Sequence, residues 1–226
     1  MYWENIVFDS ETPQEHGRFW EELLDCQMLT DNEGGYETRL HLPEQRYLDF
    51  CFPIVQDPDR TIQRAHLILA PSIDPLGERG SDPGQALEAR RDAAGNEYLL
   101  CAGEEHKGLE LAALQLASSD PQRDATFWSK LMGWEIVSQV PMTLAHPSGL
   151  GPQLILVPEE APKTSRKNAL HLDLRLEAGE NLDEALATVC SLGGEELDQQ
   201  WGTLPWKVFT DPSGNEFCIL EPLPTA

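Results

Sequence analysis

Apolar and polar residues alternate in short runs along the chain, a pattern that predicts half-buried β-strands. Two of these runs, Asn5–Asp9 and Leu114–Ala117, are each followed by a stretch with apolar residues at helical spacing. Three short strands are then predicted in each half, so the order is strand, helix, strand, strand, strand. The candidates for these later strands are Gln45–Ile54 in the first half and Glu135–Gln139, Met142–Ala145 and Gln153–Val157 in the second.

The two predicted helices begin with equivalent residues. Asp120 can accept hydrogen bonds as N-cap, and Pro121 stands where its missing N–H costs nothing. Thr12 and Pro13 are predicted to play the same parts in the first half. The apolar residues expected to face the core are Phe19, Trp20, Leu23 and Leu24 in the first helix and Ala125, Trp128, Leu131 and Met132 in the second.

The pattern then restarts in each half. His66–Leu69 and His171–Leu176 predict strands, and Asn181–Leu192 predicts a helix. Trp206–Thr210 and Glu216–Leu220 predict two strands joined by an Asp-Pro-Ser-Gly turn. The second half therefore contains two βαβββ modules, and the whole chain contains four.

Sequence similarity between the halves indicates a duplication. Thr12–Trp20 resembles Asp120–Trp128, and the Asp-Ala-Ala-Gly-Asn-Glu-Tyr segment that begins at Asp92 resembles the Asp-Pro-Ser-Gly-Asn-Glu-Phe segment that begins at Asp211. A repeat of this length fixes the architecture before any local prediction is made. We therefore expect two domains, residues 1–103 and 110–226.

The first half is shorter than the second in its last module. We expect one strand to be missing there and the helix to be weakened. The Gly- and Pro-rich segment Asp74–Gly84 and a short Gln85–Arg91 take its place.

Strand alternation predicts a polar surface in the second half. The leucines at 172, 174 and 176 share one face of their strand, so His171, Asp173 and Arg175 share the other. In the last strand Glu216 and Cys218 are expected on this polar face. The equivalent strand of the first half places His66 and Ile68 there, so we expect a more apolar surface.

Each candidate side chain also has a structural interpretation. His171 could bond only a backbone carbonyl, Asp173 and Arg175 could pair with each other, and Cys218 could be a small buried filler. Trp201 and Trp206 flank a loop and could cover a pocket or pack beneath that loop. The candidate ligand-binding residues are His171, Asp173, Arg175, Trp206, Glu216, Cys218 and His66.

Charge restricts the partners that we expect. The 226 residues include 39 acidic and 16 basic side chains, which give a net charge of -23. Such a chain repels polyphosphate and anionic lipid, so neither nucleic acid nor a membrane is an expected partner. An acidic surface would suit a cationic small molecule, although it also serves solubility.

Cysteine content and motifs add mostly exclusions. Five cysteines without Cys-x-x-Cys spacing predict neither a disulfide framework nor a zinc ribbon, and they favour a reducing, cytoplasmic compartment. A targeting segment and a run of about 18 apolar residues are both missing from the sequence. Since no nucleotide-binding, zinc-protease or nucleophile-elbow motif occurs either, no catalytic residue is predicted.

Three segments in order carry a resemblance to a known family. They are the Asp-Pro-x-x-x-x-x-Phe-Trp helix start at Asp120, the strand start Lys167–Leu174 and the closing segment from Asp211 to Phe217. Together they resemble the vicinal oxygen chelate superfamily, and more narrowly the glyoxalase-like domains of the glyoxalase, bleomycin-resistance and dioxygenase group. The resemblance covers 110–222 and, more weakly, 3–103. It implies an α+β fold in which tandem βαβββ modules form two curved, U-shaped mixed sheets with helices on the outer face.

The resemblance also implies where a metal would lie. Enzymes of this superfamily hold a divalent metal in the cleft, usually through His, Glu, His and Glu from the first, fourth, fifth and last strands. A working site needs at least three protein ligands. Each half supplies no more than one of the family ligands, or two in the second half if Cys218 takes the place of a glutamate. We therefore expect no metal and no cofactor, unless another module completes a site with His171 and Cys218. The matching residues are Asn5, His66 and Leu99 in the first half and Ala113, Leu154–Leu156, His171 and Cys218 in the second.

Three functions remain open from the sequence. The first is a bleomycin-resistance-like protein that binds a small organic molecule, cationic or aromatic, in the cleft of the second domain. The alternative is a metal-dependent lyase, isomerase or dioxygenase with His171 as one ligand, and the third is a structural partner with vestigial clefts. Whether the chain is an enzyme stays undecided, and a homodimer is compatible with the sequence.

Overall fold

The computed structural model describes residues 1–59, 62–72, 87–101, 108–197 and 204–224. The helices in these residues are α1 (Pro13–Leu24), α2 (Pro121–Met132) and α3 (Leu182–Ser191), with a short 3-10 turn at Pro43–Gln45. The strands from the first half are β1 (Tyr2–Phe8), β2 (Gln27–Asn32), β3 (Gly35–His41), β4 (Tyr47–Pro53), β5 (Ala65–Pro71), β6 (Leu87–Arg91) and β7 (Glu97–Cys101). The strands from the second half are β8 (Leu109–Ser118), β9 (Glu135–Gln139), β10 (Met142–Ala145), β11 (Gln153–Pro158), β12 (Leu170–Arg175), β13 (Glu195–Leu197), β14 (Trp206–Thr210) and β15 (Glu216–Leu220).

The strands form two mixed sheets, and each sheet takes one module from each half. The eight-stranded sheet has the order β13-β14-β15-β12-β1-β4-β3-β2, and the seven-stranded sheet has the order β6-β7-β5-β8-β11-β10-β9. The halves meet where β1 runs antiparallel to β12 and where β5 runs antiparallel to β8. The predicted fold class is confirmed, while the boundary between 1–103 and 110–226 marks the sequence repeat and passes through both sheets.

Alternation along the strands decides which residues face the helices. Leu172 and Leu174 are 3% and 0% exposed, and Ile6 beside them on β1 is fully buried. The helix tryptophans complete this core: Trp20 lies edge-on to Phe50 with ring centroids 5.7 Å apart, and Trp128 packs in the same way on Phe217 at 5.1 Å. No helix among the described residues is both long and apolar enough to span a lipid bilayer.

Each of the repeated Asp-x-x-Gly-Asn segments is a turn between two neighbouring strands of one sheet, and it bonds to the helix that packs on the other sheet. Asp92 accepts a hydrogen bond from the backbone N–H of Asn96 at 2.8 Å and contacts Nε2 of His16 on α1 at 2.6 Å. In the second half Ser213 of the equivalent turn donates to Asp124 on α2. Thus α1 is bonded to the β6–β7 turn of the seven-stranded sheet, and α2 is bonded to the β14–β15 turn of the eight-stranded sheet. In each half, the helix of one module is linked to a turn of the other module.

Most strand bounds of the second half follow the prediction, although β8 begins at Leu109 and not at Leu114. In the first half β2 and β3 were predicted without bounds, and the last module differs further. Residues 87–91, within the short segment predicted to take the place of the helix, form the edge strand β6, paired antiparallel with β7. The side chains of this strand are all exposed and largely charged, as suits a protected sheet edge. Asp74–Gly84 lies outside the described residues, and the short strand β13 was not predicted.

The two helix starts differ although their sequences are alike. Asp120 accepts a hydrogen bond from the backbone N–H of Arg123 at 3.1 Å, as predicted for an N-cap. Thr12 makes no side-chain capping bond, so that expectation was wrong. The Ser10 hydroxyl instead accepts from the Thr12 backbone N–H at 3.2 Å and stabilises the turn into α1.

We expect Asp120→Ala to lower the free energy of unfolding by about 1 kcal/mol, because the N-cap bond is lost. Thr12→Ala is the matched control and should change it by less than about 0.5 kcal/mol. Urea unfolding followed by tryptophan fluorescence measures both variants. Equal losses in the two variants would show that the caps do not differ.

Candidate functional site

A cavity of about 480 Å³ lies on the concave face of the eight-stranded sheet. Its wall takes residues from β1, β3 and β4 of the first half and from β12, β14 and β15 of the second. This volume falls within the range of roughly 300–1,000 Å³ that is typical of small-molecule sites. Neither half supplies the cavity wall alone.

Strand register explains how the polar residues meet on the cavity floor. Asp173 is paired with Asn5 across β1 and with Cys218 across β15. Val7 is paired with His171 on one side and with Cys51 on the other. Since directly paired residues point to the same face of a sheet, these side chains share the floor.

Most of the predicted site residues line this cavity, namely His171, Asp173, Trp206, Glu216 and Cys218. Arg175 does not, because its guanidinium forms an ion pair with the buried Glu4 and also donates to the Glu221 carbonyl at 2.7 Å. His66 does not either, because it lies on β5 in the other sheet. Its Nε2 is 3.9 Å from a carboxylate oxygen of Glu97. Trp201 lies outside the described residues.

Sequence reasoning missed the first-half contribution to the cavity. Glu37 on β3 and Cys51 on β4 line it, and Asp9 lies at the end of β1. The neighbouring rings of Tyr36 and Phe52 lie on the opposite face, where they pack towards α1. These residues could have been found by pairing the first module of the chain with the last, because each sheet combines one module from each half. Under that pairing Cys51 takes the fourth-strand position of the shared cleft.

Most charges in the lining are neutralised in pairs. Lys167 Nζ lies 2.6 Å from both carboxylate oxygens of Asp9, and Lys163 Nζ lies 2.9 Å from Glu216. Glu37 accepts hydrogen bonds from the Thr30 hydroxyl at 3.4 Å and the Cys51 thiol at 3.6 Å, but it has no ion pair among the described residues. The lining therefore carries an excess of negative charge.

Burial controls the protonation of the floor. It lowers the pKa of His171 well below its usual value, with help from the positive charge of Lys167, so the imidazole is neutral. Burial also raises the pKa of Asp173 to about 6, although a hydrogen bond from Asn5 opposes this effect. Burial and the negative charge of Asp173 raise the pKa of the Cys218 thiol.

The corresponding face of the seven-stranded sheet is apolar. Ile68, Cys101 and Ala113 form a buried cluster there, with Leu99 and Ile155 packed against it. Ala113, Ile155 and Leu99 occupy positions where the superfamily resemblance would place metal ligands. This agrees with the more apolar surface expected around His66 and Ile68.

Comparison with known proteins agrees with this architecture. Residues 113–220 match a family model described as a glyoxalase-like domain. The matched residues, just under half of the chain, are therefore similar to the glyoxalase-like family. Glyoxalase I from Zea mays is a solved structure of similar fold, with a TM-score of 0.62 and 16% identity over 97% of this chain and 92% of its own.

Two further solved structures are similar to this chain. A glutamate-to-glutamine mutant of the same Zea mays enzyme gives a TM-score of 0.64 at 15% identity, over 97% of this chain and 93% of its own. A glyoxalase/bleomycin resistance protein/dioxygenase family enzyme from Burkholderia phytofirmans PsJN gives 0.41 at 16% identity, over 50% of this chain and 99% of its own. No curated protein matches the chain.

The metal ligands implied by the vicinal oxygen chelate resemblance do not fit the shared cleft. The four positions hold Asn5, Cys51, His171 and Cys218, so one imidazole remains and both carboxylates are replaced by thiols. The Asn5 amide is already engaged, since its Nδ2 donates to Asp173 Oδ2 at 3.0 Å. A His, Glu, His and Glu site is therefore not retained.

We expect Asp173→Asn to change how stability depends on pH. The pKa of Asp173 rises from 3.8 in the unfolded chain to about 6 in the fold, so the wild type loses stability as pH rises through this window. The variant should lack this loss and should be more stable than the wild type above about pH 6 by about 1–3 kcal/mol, with no difference near about pH 4.

Urea unfolding in buffers containing EDTA measures this difference across the pH range. Glu135→Gln, an exposed substitution on β9, is the control and should follow the wild-type curve. A curve for Asp173→Asn that runs parallel to the wild type throughout would contradict the elevated pKa.

Proposed function

We propose that this protein binds a small organic cation with an aromatic ring in the cleft shared by β1, β3, β4, β12, β14 and β15. The observation that carries the proposal is a cavity of ligand size that is lined by Trp206 and by an unneutralised carboxylate, Glu37. This extends the sequence expectation of a cleft in the second half to a cleft that both halves build. No part of the proposal depends on the superfamily metal set.

The apolar part of the lining supports an organic ligand. The ring of Trp206 supplies aromatic surface, and Val208 and Leu220 from β14 and β15 extend the apolar area. Burying apolar ligand surface contributes about 25 cal/mol per Å² before the costs of association. Aromatic side chains also attract cations through the faces of their rings.

The charged part of the lining supports a cation. Asp9 and Glu216 are already matched by lysines, whereas Glu37 and Asp173 have no lysine or arginine partner among the described residues. An anionic ligand would meet these two carboxylates in a site whose described lining holds one ammonium group, that of Lys167. A cation would relieve the excess negative charge instead.

The duplicated halves fit this use. We infer that 1–103 and 110–226 are repeat units whose modules cross over, so that a single chain builds the whole cleft. A second copy of the chain is therefore not needed to complete the cavity.

Phenyltrimethylammonium and its neutral isostere tert-butylbenzene test the proposal. We expect the cation to bind more tightly, and Glu37→Gln to weaken its binding about fivefold, because one charge interaction of about 1 kcal/mol is lost. Calorimetric titration in EDTA measures the dissociation constants. Trp206→Ala should weaken both probes.

Glu135→Gln is the matched control, since it removes one negative charge on the edge of the other sheet and should leave binding unchanged. Equal binding of the two probes, or equal effects of the two glutamate variants, would show that charge in the cleft does not select the ligand. Failure of both probes to bind would refute the proposal.

A further inference from the structure

One group of side chains on the cavity floor has metal-ligating chemistry that the superfamily positions do not include. A ring nitrogen of His171, a carboxylate oxygen of Asp173 and the thiol sulfur of Cys218 all lie within 4.8 Å of one another. All three residues are less than 10% exposed. Asp173 matches no superfamily ligand position, so the resemblance does not include it among the metal ligands.

The separation of the His171 and Asp173 atoms suits a metal better than a hydrogen bond. His171 Nε2 and Asp173 Oδ1 are 3.6 Å apart, which is too long for a hydrogen bond. Ligand atoms around a tetrahedral zinc ion are roughly 3.3–3.8 Å apart, given zinc–ligand distances of about 2.0–2.3 Å. An ion placed between them would satisfy both atoms.

Two atoms of this group are buried without a partner. His171 Nδ1 and Asp173 Oδ1 have no hydrogen-bond partner among the described residues. Unsatisfied buried polar atoms are costly and uncommon, so each one needs an explanation. An ion bound by His171 Nε2 and Asp173 Oδ1 would give the carboxylate oxygen a partner, but it would not involve His171 Nδ1.

Asn5 helps to hold the carboxylate in place. Its amide donates to Asp173 Oδ2 and leaves Oδ1, the atom nearer to His171, without a hydrogen bond. Bonds of this kind commonly orient the first ligands of a metal. The residue at the first superfamily position is thus a positioning residue for a ligand on the neighbouring strand.

We propose that His171, Asp173 and Cys218 form a binding site for a divalent cation of the zinc class, with its remaining position open to the cavity. Nitrogen, oxygen and sulfur are all ligands that zinc accepts, and three protein ligands with one open position is the arrangement found in catalytic zinc sites. The site differs from the superfamily set because all three ligands come from β12 and β15 of one module.

A reactive cysteine explains the group less well. A thiol that acts as a nucleophile needs a lowered pKa, usually from a nearby cation or a helix N-terminus. In this cleft burial and Asp173 raise the pKa of Cys218, and burial lowers the pKa of His171 and keeps its ring neutral. A thiophilic metal ion would instead provide the positive charge that the thiolate lacks.

The metal site goes beyond the proposed function and is compatible with it. One Asp173 carboxylate, one Cys218 thiolate and a divalent ion sum to zero charge. Glu37 would then remain as the unneutralised carboxylate for an organic cation. The two proposals fail independently, because organic-cation binding is measured with EDTA present and metal binding without it.

The full-length chain is stripped of metal by a chelator and dialysed. One sample is titrated with Zn²⁺ and a separate sample with Co²⁺. We expect one equivalent of Zn²⁺ in calorimetry and a sulfur-to-cobalt charge-transfer band in the near ultraviolet for the Co²⁺ form. Cys218→Ser should lose this band. Asp173→Asn and His171→Gln should each weaken Zn²⁺ binding at least about tenfold.

Cys51→Ser is the matched control, since Cys51 is the other cavity thiol at a superfamily position, and it should keep the band. Urea unfolding of each variant in EDTA shows that it folds. The assignment is overturned if the wild type shows no saturable binding, if the band disappears in Cys51→Ser, or if Asp173→Asn binds Zn²⁺ as tightly as the wild type.

Discussion

The antiparallel pairing of β1 with β12 is the contact on which the cleft depends. It joins the first module to the last, brings Asn5 beside Asp173, and puts Val7 beside His171. It also connects the two groups of strands that supply the cavity wall. Without this pairing the floor would lose the Asn5 hydrogen bond to Asp173, and the cavity would lose the side formed by β3 and β4.

Charge is distributed unevenly over this face of the sheet. Towards one end Lys167 and Lys163 neutralise Asp9 and Glu216, and on the other side of the floor Arg175 neutralises Glu4. The middle of the floor has no such compensation among the described residues, because the ring of His171 is neutral and Asp173 keeps an oxygen without a partner. Buried polar atoms of this kind oppose folding, so the middle of the floor lowers the stability of the fold.

The sequence predicted the second half better than the first. Strands such as Glu135–Gln139 and Trp206–Thr210 were predicted with their observed bounds, because alternation and turn residues act over a few positions. The face of His171 and Asp173 followed from the same periodicity. Thr12 shows the limit of this reasoning, since a residue with the right chemistry made no capping bond.

Long-range pairing accounts for what the sequence did not predict at the site. Asn5 and Asp173 are 168 positions apart, and no local pattern indicates that they touch. Glu37 and Cys51 were missed for the same reason, because each half had been compared only with itself. Arg175 shows the converse case. Alternation predicted it on the polar side, but only the fold shows that it forms an ion pair with Glu4.

The crossing of the halves between sheets has a consequence for synthesis on the ribosome. β1 leaves the exit tunnel long before its partner β12, since the paired residues Asn5 and Asp173 are 168 positions apart. Until then the nascent first module carries a strand edge with unpaired backbone groups. Such edges invite association with other chains, and closing so long a loop is slow. A translation product that stops before the last module would therefore be a candidate for chaperone capture or degradation.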